Sequence, residues 1–125
     1  MPIASSRALA AHVRGLTPAD VPAVLRIQAL CYGAAFSESA AVFTRRLQAP
    51  HHCSWAAEHG WRVVAYLAAY WSRPGKITPL QGDFEASAPA HVLYLHDMAV
   101  EPALAGRGLA ARLLQAALDQ ARARG

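Results

Sequence analysis

Tyr94-Leu95-His96-Asp97-Met98-Ala99-Val100, followed shortly by Ala105-Gly106-Arg107-Gly108-Leu109-Ala110, is the stretch that decides the fold of this chain. Together with Val92 and Leu93, the first run leaves little exposed face, which predicts a central strand over 91–100. Glu101-Pro102 ends it. Beyond the glycines, Leu109, Leu113, Ala117 and Leu114, Leu118, Ala121 recur at four-residue intervals, and predict an amphipathic helix running to Gly125. Strand, glycine turn and helix N-terminus together make an anion site. Glycine lets backbone approach a ligand closely, and the unpaired N–H groups of a first helical turn point outward at its positive end, where a pyrophosphate is stabilised. Arg107 adds a charge-assisted contact. A purely structural turn is the competing reading of the same glycines.

Upstream, His12 to Leu16 reads as a first strand. Thr17-Pro18-Ala19-Asp20 then offers a capping residue, a proline at the first helical position and an acid in the first turn. The helix it starts carries Val21, Val24, Leu25, Ile27 and Leu30, and Tyr32-Gly33 breaks it. Ser37 caps a shorter helix with Ala41, Val42 and Leu47. Residues Ser54 to Glu58 and Trp61 to Trp71 form a hairpin around His59-Gly60. Ser72 to Ala90, with Pro74, Gly75, Pro79, Gly82 and Pro89, is a long loop of the kind that shapes sites. The predicted order is β-α-α-β-β-β-α, an α/β class with a mixed sheet.

A chain of 125 residues suits one domain. Residues 1–11 read as a loose N-terminal arm without the apolar run of a secretory signal, and 12–125 as a single domain. No run of about 18 apolar residues is present to span a bilayer. The formal charge is +4, but the arginines are scattered rather than gathered into a stripe, so charge does not point to nucleic acid. Cys31 and Cys53 lack the spacing of a disulfide framework or a zinc site, and are expected to be buried thiols in a reducing cytoplasm. His51-His52-Cys53 has no second ligand pair, so no metal is expected. Trp55, Trp61 and Trp71 near arginines could stack on single-stranded nucleic acid, but hairpin core and rim explain them more simply.

The glycine turn is tested first against the dinucleotide fingerprint, whose spacing Gly106-x-Gly108-x-x-Ala111 matches. That motif follows its strand tightly and finds an acid about 20 residues later; here Pro102 intervenes and the chain ends first. The sequence instead resembles the GNAT superfamily of N-acetyltransferases, whose acetyl-CoA motif is Gln or Arg, two variable residues, Gly, one variable residue, then Gly or Ala. Gly108 and Ala110 fit it. The resemblance extends to the element order and to the Val-x-Pro exit at Val100 and Pro102, covering roughly His12 to Gly125.

By this resemblance, Met98, Ala99 and Val100 present backbone groups to the pantetheine arm of acetyl-CoA. Ala105, Gly106, Arg107, Gly108, Leu109, Ala110 and Ala111 surround its pyrophosphate. The first motif position, usually Gln or Arg, is Ala105, which removes a side chain that would support the turn. Family members also continue with a fifth strand, a helix and a hairpin, so the resemblance implies a domain incomplete at its C-terminus.

The implied chemistry is direct attack of a neutral amine on the thioester in a ternary complex, with backbone N–H groups near Met98 stabilising the oxyanion. His96 is the proposed base, because imidazole titrates near neutrality. Asp97 is a second candidate, and Tyr94 could donate to the leaving thiolate. Each has a competing structural role: a satisfied strand side chain for His96 and Asp97, core packing for Tyr94. Successive strand side chains point to opposite faces, so His96 and Asp97 cannot both face the acceptor unless a bulge turns one of them. Tyr32, Phe36 and Glu38 lie where acceptor-side loops sit in similar proteins. The expected acceptor is a small amine, with a peptide N-terminus or lysine as others. The competing class is a non-catalytic CoA-binding or interaction module. The unpaired edge of the fourth strand predicts self-association as a homodimer.

Overall fold

The computed structural model describes residues 10–33, 38–48, 52–72 and 92–124. Most of the N-terminal arm, Phe36, Ser37, His51 and the long loop lie outside the described residues. The elements follow the predicted order: β1 (His12–Gly15), α1 (Val21–Tyr32), α2 (Ala40–Gln48), β2 (Trp55–His59), β3 (Arg62–Ser72), β4 (Val92–Val100) and α3 (Leu109–Arg124). The strands form one sheet in the order β1-β2-β3-β4, and every pairing described is antiparallel. No helix among the described residues is long and apolar enough to cross a membrane.

The entry to α1 is built as its sequence implies, with one addition. Thr17 is extended, a 3-10 turn covers Pro18–Asp20, and α1 follows. Asp20 Oδ2 accepts from the Thr17 backbone N–H at 2.8 Å and from its hydroxyl at 3.0 Å, half of a capping box. Arg14 then places both guanidinium NH2 groups on the Asp20 carboxylate at 2.8 Å and its Nε on Glu58 at 2.6 Å. One side chain thereby ties β1, the turn and β2 together.

The two faces of the sheet hold separate clusters. Against α1 and α2, Val24, Ile27 and Phe43 pack on Tyr66, Ala68 and Tyr70 of β3. Against α3, Leu109, Leu113 and Ala117 pack on Ala57, Val64 and Leu67. The α1 stripe departs from expectation at its end: Leu30 is exposed, and Gln28 is buried instead. The Gln28 amide accepts from the Glu38 N–H and donates to the Glu38 carbonyl, both at 3.0 Å, fixing the entry to α2.

Three expectations are corrected. Within the described sheet β4 is the outermost strand, not a central one, and Leu95 is 41% exposed. An apolar side-chain pattern reports that both faces are covered, whereas edge position is a matter of backbone pairing and leaves no mark on that pattern. Leu114 and Leu118 of α3 are likewise exposed, and with Leu93 and Leu95 they line an apolar groove. Neither cysteine is buried: Cys31 is exposed and Cys53 half-buried, and the two form no disulfide among the described residues.

Candidate active site

β4 is regular in two halves joined by one irregularity. Ala68 pairs with Asp97 and Ala69 with Leu95, so His96 is the additional residue of a bulge. Packing on either side shows its effect. Before it, Leu93 joins the α3 cluster and Tyr94 the α1–α2 cluster; after it, Met98 and Val100 join the α3 cluster and Ala99 the other. Unbroken alternation would place Asp97 with Leu93. The bulge shifts the parity by one residue and turns Asp97 onto the face His96 occupies, toward α1 and α2.

Three groups meet Asp97 or His96 there. The Tyr66 hydroxyl, from β3, donates to Asp97 Oδ2 at 2.5 Å. The Tyr32 hydroxyl, from the last residue of α1, lies 3.0 Å from Asp97 Oδ1 and 2.8 Å from the Met98 carbonyl. Burial, reinforced by the charge of Asp97, pushes both phenols well above the usual tyrosine range, so both stay protonated donors at neutral pH. On the other side His96 Nε2 is 3.5 Å from Glu38 Oε1. Glu38 is not an open acceptor-facing carboxylate. It is buried, with both its oxygens on the Arg46 guanidinium, which lies over the Phe43 ring. Tyr94 packs edge-on against Tyr70 at 5.2 Å between centroids, with the His96 ring 6.1 Å away.

The outer edge of β4 is set by its pairing. The Glu101 N–H bonds to the Val64 carbonyl at 2.8 Å, flanking the Val100–Ala65 pair. Val100, and Met98 two residues back, therefore turn their own N–H and C=O groups away from β3. The Met98 carbonyl meets Tyr32, and the Val100 carbonyl accepts from Cys31 Sγ at 3.2 Å. A cavity of about 210 Å³ opens beside this edge, lined by Leu67, Leu95, His96, Asp97, Met98 and Leu114.

Past β4, Glu101 is held by Arg26 and Arg62, and a 3-10 turn, Pro102–Leu104, leads to the glycines. Gly106 and Gly108 have φ of 78° and 87°, the left-handed region. A Cβ on Gly106 would meet nothing within 4 Å, so that glycine answers to backbone conformation and leaves the outer side of the turn open. The first helical bond of α3 runs from the Arg112 N–H to the Gly108 carbonyl at 3.1 Å. The N–H groups of Leu109, Ala110 and Ala111 thus stand in the first turn without intrahelical partners. Leu109 is buried, Arg107 half-buried and Ala105 exposed. This surface suits a pyrophosphate. Among the described residues, no group of three or more His, Cys, Asp or Glu is placed to hold a metal.

The structure thus brings together Tyr94, His96, Asp97, Met98, Tyr32 and Glu38 around the bulge, while Phe36 lies outside the described residues. Tyr66 and Arg46 were not singled out in the sequence. Tyr66 sits in an apolar hairpin strand and Arg46 on a helix with other polar residues, and neither position carries a local signal of a site.

A strand with a bulge, a glycine turn and a helix N-terminus beside an outward strand edge are features of an acyl-CoA transferase fold. The model of the acetyltransferase (GNAT) family matches residues 21–125, and the chain belongs to that family. It is 30% identical over 110 residues to the N-alpha-acetyltransferase RimI of Mycobacterium tuberculosis, a match covering 88% of this chain and 61% of that protein. Its fold matches the ribosomal-protein-S18-alanine N-acetyltransferase of Escherichia coli with a TM-score of 0.70 at 19% identity, over 93% of this chain and 62% of that one. A GNAT family acetyltransferase of Brucella melitensis, solved in complex with acetyl-CoA, matches with a TM-score of 0.65 at 20% identity, over 93% and 71% of the two chains. The chain therefore spans about three-fifths of the length of RimI.

Proposed function

We propose that this chain carries the acyl-transfer centre of an N-acetyltransferase moving an acetyl group from acetyl-CoA to a primary amine, a small amine first. The observation that carries the reading is the β4 bulge, which puts His96 and Asp97 on one face, beside an outward Met98 backbone and upstream of the open glycine turn. The family match and the acetyl-CoA complex of the Brucella relative support the same donor.

In this reading the Gly106–Ala111 backbone holds the pyrophosphate and the outward groups of Val100 align the pantetheine arm. The amine nitrogen attacks the thioester carbon. The Met98 N–H meets the oxyanion, and collapse breaks the C–S bond and releases the CoA thiolate, which takes up the proton that leaves the new amide nitrogen. His96 takes the proton the ammonium must lose before attack. Packing against Tyr70 accounts for Tyr94, and no step is assigned to it. The spacing of Cys31 and Cys53, unlike that of a disulfide framework, accords with a reducing cytoplasm, and the outward edge of β4 with self-association, which light scattering would detect as a dimer.

The test begins with calorimetry of acetyl-CoA against NAD. Micromolar binding of acetyl-CoA alone, turnover with an amine panel, and loss of about 100-fold or more in kcat for His96→Ala support the assignment. Binding without turnover by any amine would establish instead the non-catalytic CoA-binding module that the alanine at position 105 favours.

A further inference from the structure

The Tyr32 hydroxyl has one proton and two acceptors. It lies 3.0 Å from Asp97 Oδ1 and 2.8 Å from the Met98 carbonyl, and it can donate fully to only one of them. Asp97 has no cation paired with it among the described residues; its other oxygen is met by the neutral Tyr66 hydroxyl. A carboxylate and a carbonyl therefore converge on a single point that the protein fills with too few donors. The point is reachable, because Tyr32 is 39% exposed and stands at the end of α1, before Gly33 at φ 72°.

We infer that the Tyr32 hydroxyl occupies the position of the acceptor amine nitrogen, and that the amine displaces it to bond Asp97 and the Met98 carbonyl together. An alkylammonium brings three N–H donors. After losing the proton that must leave before attack, a primary amine keeps two, one for each acceptor, and its lone pair remains free. A neutral secondary amine keeps one and must leave an acceptor unmet. The two acceptors thus match the two N–H groups of the primary amine in the proposed reaction, at the point the Tyr32 hydroxyl now fills. The phenol, kept protonated by burial and by Asp97, acts as a placeholder that keeps two half-buried acceptors paired until the amine arrives.

This inference rests on the acetyl-transfer reading of the same site, so its test has one arm that needs no turnover. In that arm the full chain, with 13C-labelled tyrosine, is titrated with propylammonium and with trimethylpropylammonium, which has the charge but no N–H. The Tyr32 ring signal, assigned by its loss in Tyr32→Phe, is expected to shift with the first ion only. No shift with propylammonium, or equal shifts with both, overturns the inference whether or not the protein turns over. A selective shift without acetyl transfer upholds it while the acetyltransferase reading fails. In the kinetic arm, Tyr32→Phe frees both acceptors and lowers the KM for propylamine about fivefold, N-methylpropylamine is used on the order of tenfold less efficiently, and the KM for acetyl-CoA does not follow. A propylamine KM that rises or stays fixed, or an effect confined to acetyl-CoA, shows Tyr32 to be structural or donor-facing and overturns the inference.

Discussion

Arg46 and Glu38 form an ion pair with 1% and 3% of their side chains exposed, closed underneath by Phe43 and reaching His96 through Glu38 Oε1 at 3.5 Å. Two charges taken out of water are tolerated only while each compensates the other. The pair therefore fixes the start of α2 beside the bulge, and it makes the site sensitive to changes that never touch a substrate.

Arg46→Met is expected to cost about 3–5 kcal/mol, because it leaves the Glu38 carboxylate buried and alone. The double replacement Arg46→Met with Glu38→Gln should recover part of that loss, since no charge then remains unpaired. Urea unfolding of the four proteins in a double-mutant cycle measures the coupling; additive losses would show that the pair is not acting as one.

Tyr32 and Tyr66 predict behaviour in alkali. Both phenols are raised in the folded state, and the charged form is the one burial penalises. The stability they contribute is complete below the unfolded tyrosine value of about 10 and is lost as pH rises beyond it toward the folded values. The native protein should show a steep fall in stability above that pH, shallower in Tyr66→Phe. Absorbance of tyrosinate during a pH titration should lag for both residues until unfolding releases them.

Asp20 predicts the opposite limb. Its hydrogen bonds to Arg14 hold its pKa below the usual carboxylate value, with Thr17 adding to the effect against the cost of burial. That stability is present above about pH 4 and disappears as pH falls through the lowered folded value. Asp20→Asn should cost about 1.5–3 kcal/mol at neutral pH and flatten the acid limb of a thermal-melt series. An acid limb as steep as that of the parent would place the acid sensitivity elsewhere.

Trp61 occupies the second position of the two-residue β2–β3 turn at φ 68°, after Gly60 at φ 60°, with 98% of its surface exposed. A bulky residue in the left-handed region, with no packing to offset it, is strained. Trp61→Gly should stabilise the protein by about 1 kcal/mol, read as a raised denaturation midpoint with an unchanged slope.

The sequence by itself determined the order of elements, the hairpin, the capped entry to α1 and the glycine turn before α3. Each of these is written locally, in residues whose period, backbone freedom or capping chemistry acts within a few positions. It also offered His96, Asp97 and Tyr94 as candidates, but period-two alternation sends His96 and Asp97 to opposite faces, and only the pairing of β4 with β3 decided that a bulge unites them. The same holds for Tyr66 on Asp97, Tyr32 on the Met98 carbonyl and Arg46 beneath Glu38. These contacts depend on how strands and helices register across the sheet, and register is settled by the packing of both faces at once, a property no single segment carries.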